Sequence, residues 1–130
     1  MIETRLRSAL IAWLEADPTI AGAINAVTEE APVRTTAPWL GIVASASIDW
    51  SVKDRRGREV RLAVELNFRG DAPDTAADLV SVIEARIETM PRSHDGFAVV
   101  TTQFLRARAE QRPANLRAVL LEYRFRLLEA

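Results

Sequence analysis

The chain has 130 residues, 48% of them apolar and 27% charged, with a formal net charge of -1. That length and balance suit one folded domain, exclude the composition of a disordered chain, and give no global attraction to nucleic acid or an anionic membrane. The absence of cysteine excludes disulfides, thiolate chemistry and cysteine-rich zinc sites, and suits a reducing cytoplasm.

The first seven residues mix acidic and basic groups, and no apolar run approaches the roughly 20 residues needed to span a bilayer, so neither a signal peptide nor a membrane segment is expected. Ile2, Leu6, Ala9, Leu10, Trp13 and Leu14 recur at helical spacing and predict an amphipathic helix over residues 3–16, ended by Asp17 and Pro18. Ile20, Ile24 and Val27 continue that spacing and predict a second short helix over residues 19–27. A loop punctuated by Pro32 and Pro38 follows.

From Trp39 the period becomes two. Leu40, Ile42, Ala44, Ala46 and Ile48 alternate with Gly41, Val43, Ser45 and Ser47, predicting a strand with one apolar face and one small-residue face. Val60, Leu62, Val64, Leu66 and Phe68 alternate with Glu59, Arg61, Ala63, Glu65 and Asn67 in the cleanest strand pattern of the chain. Between the two, Arg55-Arg56-Gly57-Arg58 places a glycine where a hairpin tip would use positive φ. Residues 70–73 break the second strand, and Thr75 with Asp78 resembles a capping box opening a helix. Leu79, Val80, Ile83, Ile87 and Met90 form its buried stripe, and Pro91 stops it. A polar turn over residues 92–96 leads to a strand over residues 97–107, then a turn-prone stretch over residues 110–115. In the last strand Val119, Leu121, Tyr123, Phe125 and Leu127 share one face, with Glu122, Arg124 and Arg126 on the other.

Two hairpins separated by a helix predict an α+β fold. It is a two-layer sandwich of a four-stranded, mainly antiparallel sheet with helices packed on one face. The other face is wet and rich in Arg and Glu. The edge strands of such a sheet present unpaired backbone groups, which association with copies of the chain would cover.

No catalytic residue, metal-ligand set or cofactor site is predicted. His94, the only histidine, adjoins Asp95 in a turn, and adjacent residues seldom face each other as base and orienting carboxylate, so a solvated turn is the reading. Glu29-Glu30 and the Asp71, Asp74 pair lack calcium-loop spacing and read as loop solvation and helix N-terminal charge. The five glycines form no phosphate-cradling run. Basic residues gather at Arg55, Arg56 and Arg58 and again at Arg106, Arg108, Arg112 and Arg117. Without interleaved aromatics these read as solvated charge or as salt bridges to a neighbouring subunit. Trp13 lies on the first helical stripe and reads as core. Trp39 and Trp50, at the two ends of the first strand, are candidate interface anchors, together with Arg61, Glu65, Arg124 and Arg126 on the wet sheet face. The classes left open are a ring-forming structural protein, a small protein- or ligand-binding module without catalysis, and, last, an enzyme.

Two stretches carry a family resemblance. Leu6-Arg7-Ser8-Ala9-Leu10 runs through Leu14-Glu15-Ala16-Asp17-Pro18 to Ile20, and Ala37-Pro38-Trp39-Leu40-Gly41-Ile42 leads into the first strand. With the order of elements, they resemble the tail terminator, or tail completion, family of long-tailed phages and phage-like particles such as gene transfer agents. Where many relatives have an aromatic-rich end to the second strand, this chain has Glu65-Leu66-Asn67-Phe68-Arg69. The resemblance implies that residues 1–130 form a single tail-terminator-like domain. It implies a subunit of a six-membered ring that caps the head-proximal end of a tail tube, stops its polymerisation and docks to the head-neck connector or stopper. The implied partners are other copies, the tail tube protein and the connector, with DNA passing non-specifically through the ring, and with no cofactor and no membrane. Assembly in the bacterial cytoplasm and a place in the neck or tail of the particle follow from the same resemblance. On this view the tip residues Arg55, Arg56 and Arg58 reach an adjacent subunit, a neighbouring ring or the lumen, and the Arg/Glu face carries subunit contacts.

Overall fold

A computed structural model describes residues 1–29, 36–71 and 73–130. Helix α1 (Ile2–Glu15) buries Ile2, Leu6, Leu10 and Leu14, the i, i+4 row that its sequence spacing demands. Helix α2 (Pro18–Ala23) starts where Asp17 accepts the backbone N–H groups of Thr19 at 2.9 Å and Ile20 at 3.1 Å, with Pro18 in the first turn, where its missing donor costs nothing. The helix expected to reach residue 27 stops at Ala23, because Ile24 is extended (φ -120°, ψ 148°). Residues Val27–Thr28 instead form a short strand, β1, parallel to the next.

Strands β2 (Trp39–Asp49) and β3 (Gly57–Arg69) make the expected antiparallel hairpin. Helix α3 (Pro73–Glu88) begins at Pro73, so Thr75 lies inside its first turn rather than at the cap. Ser93–His94 forms the two-residue β4 against the start of β5 (Phe97–Arg112), which runs five residues beyond its expected end before turning into β6 (Leu116–Glu129). The reversal occupies residues 113–115, with Ala114 and Asn115 both at positive φ (61° and 59°).

The strands form one six-stranded sheet in the order β1-β2-β3-β6-β5-β4. The expected four-stranded sheet is therefore its centre, and the parallel β1–β2 contact makes the whole mixed. β1 and β4 escape a periodicity reading because two residues display no period. The helices cover one face. Leu6, Leu10, Leu14, Ile83 and Ile87 pack with Val60, Leu62, Leu66, Leu121, Tyr123 and Phe125 in a single core. Each fully buried large apolar side chain contributes about 1.5–3 kcal/mol, which outweighs a solvent-exposed ion pair.

A bulge between Ile42 and Ala44 overturns the expected face of β2. Leu40 and Ile42 are buried beneath the helices, as predicted. The extra residue then inverts the alternation, so that Ser45 and Ser47 face α1 while Ile48 is 63% exposed. Ser47 Oγ donates to Glu3 Oε2 at 3.1 Å and Arg7 donates to Ser45 Oγ at 3.4 Å, bonds that the inversion makes reachable.

Candidate functional site

The strand register brings the sheet-face candidates together. On the face without helices, Ala46 stands opposite Arg61 and Arg61 opposite Arg124. Glu59 lies opposite Arg126, Ala63 opposite Glu122, and Glu122 opposite Arg106. Glu59 is buried, and Arg126 lies 3.1 Å and Arg124 3.8 Å from its carboxylate. Burial of a carboxylate is tolerable only with such partners. Arg124 also donates to Gln103 on β5. Glu65, 4% exposed, takes Arg112 at 2.6 Å, and Arg112 reaches Glu110 at 2.8 Å. Three candidates, Glu65, Arg124 and Arg126, are thus committed within the subunit. Arg61 is exposed, and no ion pair is formed by it among the described residues.

Arg106 and Glu122, a pair the sequence reading did not single out, close the row. The hydrogen bond from Arg106, with its charge, holds the Glu122 carboxyl below the ordinary carboxylate range, and the same bond raises the guanidinium. Their side chains border an open groove of about 580 Å³ whose floor includes Ala44, Ala46 and Ala63. Leu105 from β5 lines the same groove as Ala44 from β2, with two strands between them, so the sheet is curled around this face. Cross-strand spacing alone would have predicted the Arg106–Glu122 pair once the β5–β6 register was known.

The arginine tip divides in two. Lys53 and Asp54 make the reversal, held by the Val52 N–H donating to the Arg55 carbonyl at 2.9 Å. Arg55 and Arg56 are exposed and make no ion pair among the described residues. Arg58 instead folds back onto Asp49 at 3.4 Å and towards Glu3 at 3.7 Å. Gly57 does not occupy the reversal, and its φ is not positive. It opens β3, where a Cβ would collide with the Trp50 carbonyl and come within 2.5 Å of the Leu127 carbonyl. Close backbone approach is the reason for this glycine.

Trp39 and Trp50 are both partly exposed, at opposite ends of the sheet. The Arg126 guanidinium lies over Trp50, 5.5 Å from the ring centroid. Trp13 is held by α3. Its indole donates to the Arg86 carbonyl at 2.7 Å, and Arg86 returns a bond to the Trp13 carbonyl at 2.8 Å while stacking 3.4 Å over the ring. His94 contacts the Pro91 carbonyl at 2.5 Å and stacks on Phe97, so its role is to shape the turn. Among the described residues no group of three or more His, Cys, Asp or Glu side chains is placed to hold a metal ion. None of the described helices is long and apolar enough to cross a membrane.

The geometry offers a curled, charge-laced sheet and an arginine tip. A chain in a solved structure described as the virion of a native gene transfer agent particle has the same fold. The two superpose with a TM-score of 0.81 at 22% identity, covering 96% of this chain and 95% of that one. No curated protein matches. Residues 8–128 match the family described as "Tail completion protein gp17", a span that runs from the second half of α1 through α2, both hairpins and the arginine tip, and the chain belongs to this family of structural tail proteins of phages and phage-like particles.

Proposed function

We propose that this protein is a tail terminator. Six copies form a ring on the head-proximal end of the tail tube, stop its polymerisation, dock to the head-neck connector and let DNA pass through the middle. The observation that carries the reading is the family match over residues 8–128. The same fold in a chain of a gene transfer agent virion supports a place in such a particle. The wet face adds physical support. It presents Arg61, Arg106 and Glu122 around a shallow groove, which suits contact with another protein surface better than enclosure of a small substrate.

The exposed Arg55 and Arg56 at the tip, with Trp50 at its base, are assigned to contact with a neighbouring subunit or ring. Trp39 and Arg61 are assigned to the subunit interface. Glu65, Arg124 and Arg126 act there indirectly, by fixing the sheet surface through their internal ion pairs. Assembly takes place in the bacterial cytoplasm.

Multi-angle light scattering and negative-stain imaging test the ring, on the free protein and on protein mixed with tail tubes. Rings at tube ends and tubes of fixed length support the reading. Monomers that neither ring nor bind tubes would sink it. A second reading, a binding module, has one observation in its favour: an apolar groove of about 260 Å³ bordered by Pro38, Phe68, Ala76 and Leu79. Thermal shift against an apolar ligand set checks it, and a monomer stabilised by such a ligand would favour that module over the ring.

A further inference from the structure

The two long edges of the sheet are left open in a way that specifies a partner. β1 covers β2 only at Leu40 and Gly41, and β4 covers β5 only at Phe97 and Ala98. Among the described residues, the 43–49 stretch of β2 and the part of β5 beyond Val99, whose N–H donates to the Arg92 carbonyl at 2.8 Å, therefore have one side without a strand neighbour. Monomeric proteins blunt such edges with proline or lysine. Residues 43–49 contain neither, and all seven are exposed, including Val43 at 38% and Ile48 at 63%. On the other edge Leu105, a bulge residue, is 37% exposed. Three of the large apolar side chains left in water thus sit on these two edges.

We infer that adjacent copies join edge to edge, the free stretch of β2 in one copy pairing antiparallel with β5 of the next, so that the sheet continues from subunit to subunit. This rests on the ring reading and adds its contact surface. Strand direction favours it. β2, β3, β6 and β5 alternate in direction, so β2 and β5 run oppositely. A copy rotated about an axis along the strands brings its β2 beside β5 in the antiparallel sense, with its helices on the same side of the sheet. Register agrees as well. Following the ladders across the sheet, Ala44 is level with Arg106 and Ile48 with Thr101, so residues 44–48 of β2 match a stretch of β5 beyond its contact with Arg92.

The two-fold alternatives fit less well. β5 against β5 sets a row of Arg106, Arg108, Glu110 and Arg112, three cations to one anion, beside its own copy. β2 against β2 leaves both β5 edges bare. The head-to-tail contact uses both edges of every copy, and a heterologous contact closes into a ring when its rotation divides a full turn.

The chain has no cysteine, so introduced ones report cleanly. Ala46→Cys on β2 would be combined, one at a time, with Thr101→Cys, Gln103→Cys, Arg106→Cys or Arg108→Cys on the same face of β5, in full-length protein assembled on tail tubes and oxidised. Directly opposed residues in antiparallel strands lie about 4.5–5.5 Å apart, within disulfide range. The expected result is that at least one pairing gives a non-reducing ladder ending at the closed ring, while single-cysteine proteins give no ladder. Unchanged melting temperatures show that each variant is folded. Rings that form without any β2–β5 cross-link, or that cross-link only Ala46→Cys to itself, overturn the edge contact and leave the ring intact. Absence of rings in the unsubstituted protein overturns the ring and the contact together.

Discussion

Two glycines and one tyrosine carry constraints that apolar patterning does not reveal. Gly96 sits at φ +83°, and Arg5 fills the space beside it. Gly57 is closed in by two backbone carbonyls that cannot swing away. Gly96→Ala is expected to cost about 1–2 kcal/mol through its backbone conformation, and Gly57→Ala about 1–3 kcal/mol through displacement of β3. Urea denaturation measures both. Arg5→Ala should not rescue Gly96→Ala, since relief of the side chain leaves φ unchanged. Gly57 was legible as a special position but for the wrong reason: sequence shows a glycine near a turn, while the crowding comes from the Trp50 carbonyl and from Leu127 and Leu128 of β6, far away in sequence.

Tyr123 is fully buried and its hydroxyl has no hydrogen-bond partner among the described residues. Burial pushes its pKa up, with further upward pressure from Glu88 and Glu84. Because the folded value lies above the ordinary 10.0, the unfolded chain releases its proton first as pH rises. Stability is therefore whole below about pH 10 and falls above it. Tyr123→Phe removes an unsatisfied polar group, so it should leave stability at pH 7 equal or raise it by up to about 1 kcal/mol. It should also flatten the alkaline decline. Denaturant midpoints at pH 7 and pH 10.5 for both proteins provide the check.

Among the elements, α1 and α3 are joined by the reciprocal grip of Trp13 and Arg86. Arg86→Ala loses the stacked cation and the donor to the Trp13 carbonyl, for an expected cost of about 1–2 kcal/mol. Arg86→Lys should recover part of this, because an ammonium keeps the charge without the planar stack. Thermal unfolding of the two variants separates the contributions. The helical spacing of Trp13 predicts a core position, but its indole N–H partner lies on another helix and has no sequence signature. α1, α3, β3 and β6 were legible because each holds one period over three or more turns or pleats. β2 was legible only as far as Ile42, since a one-residue bulge reverses every later side chain and Ser45 and Ser47 give no hydrophobic signal of the change.

For the molecule as a whole, the centre of the sheet and its single helical layer could be read from alternation and spacing. The network on the helix-free face could be read only as composition. Which Arg meets which Glu depends on the register among β3, β6 and β5. Within it, Glu59 and Glu65 are anchored internally, whereas Arg55, Arg56 and Arg61 are exposed. Substituting Arg55 and Arg56 together by alanine should therefore leave stability within about 0.5 kcal/mol, as expected of exposed side chains with no ion pair among the described residues. The proposed contact role predicts fewer complete particles and less DNA delivered. Melting temperature and particle yield give the two readings, and normal yield would remove the tip from the contact surface.

The placement of the turns has a further consequence. The arginine tip lies at the end of the sheet where Arg56 meets Glu129, and the reversal at residues 113–115 lies at the opposite end, where Gly70 meets Asn115. Copies sharing one strand direction would raise cationic knobs on one rim and leave the other to a proline-asparagine corner. Such a collar has a front and a back by construction, and upstream and downstream neighbours can be told apart without any change of shape.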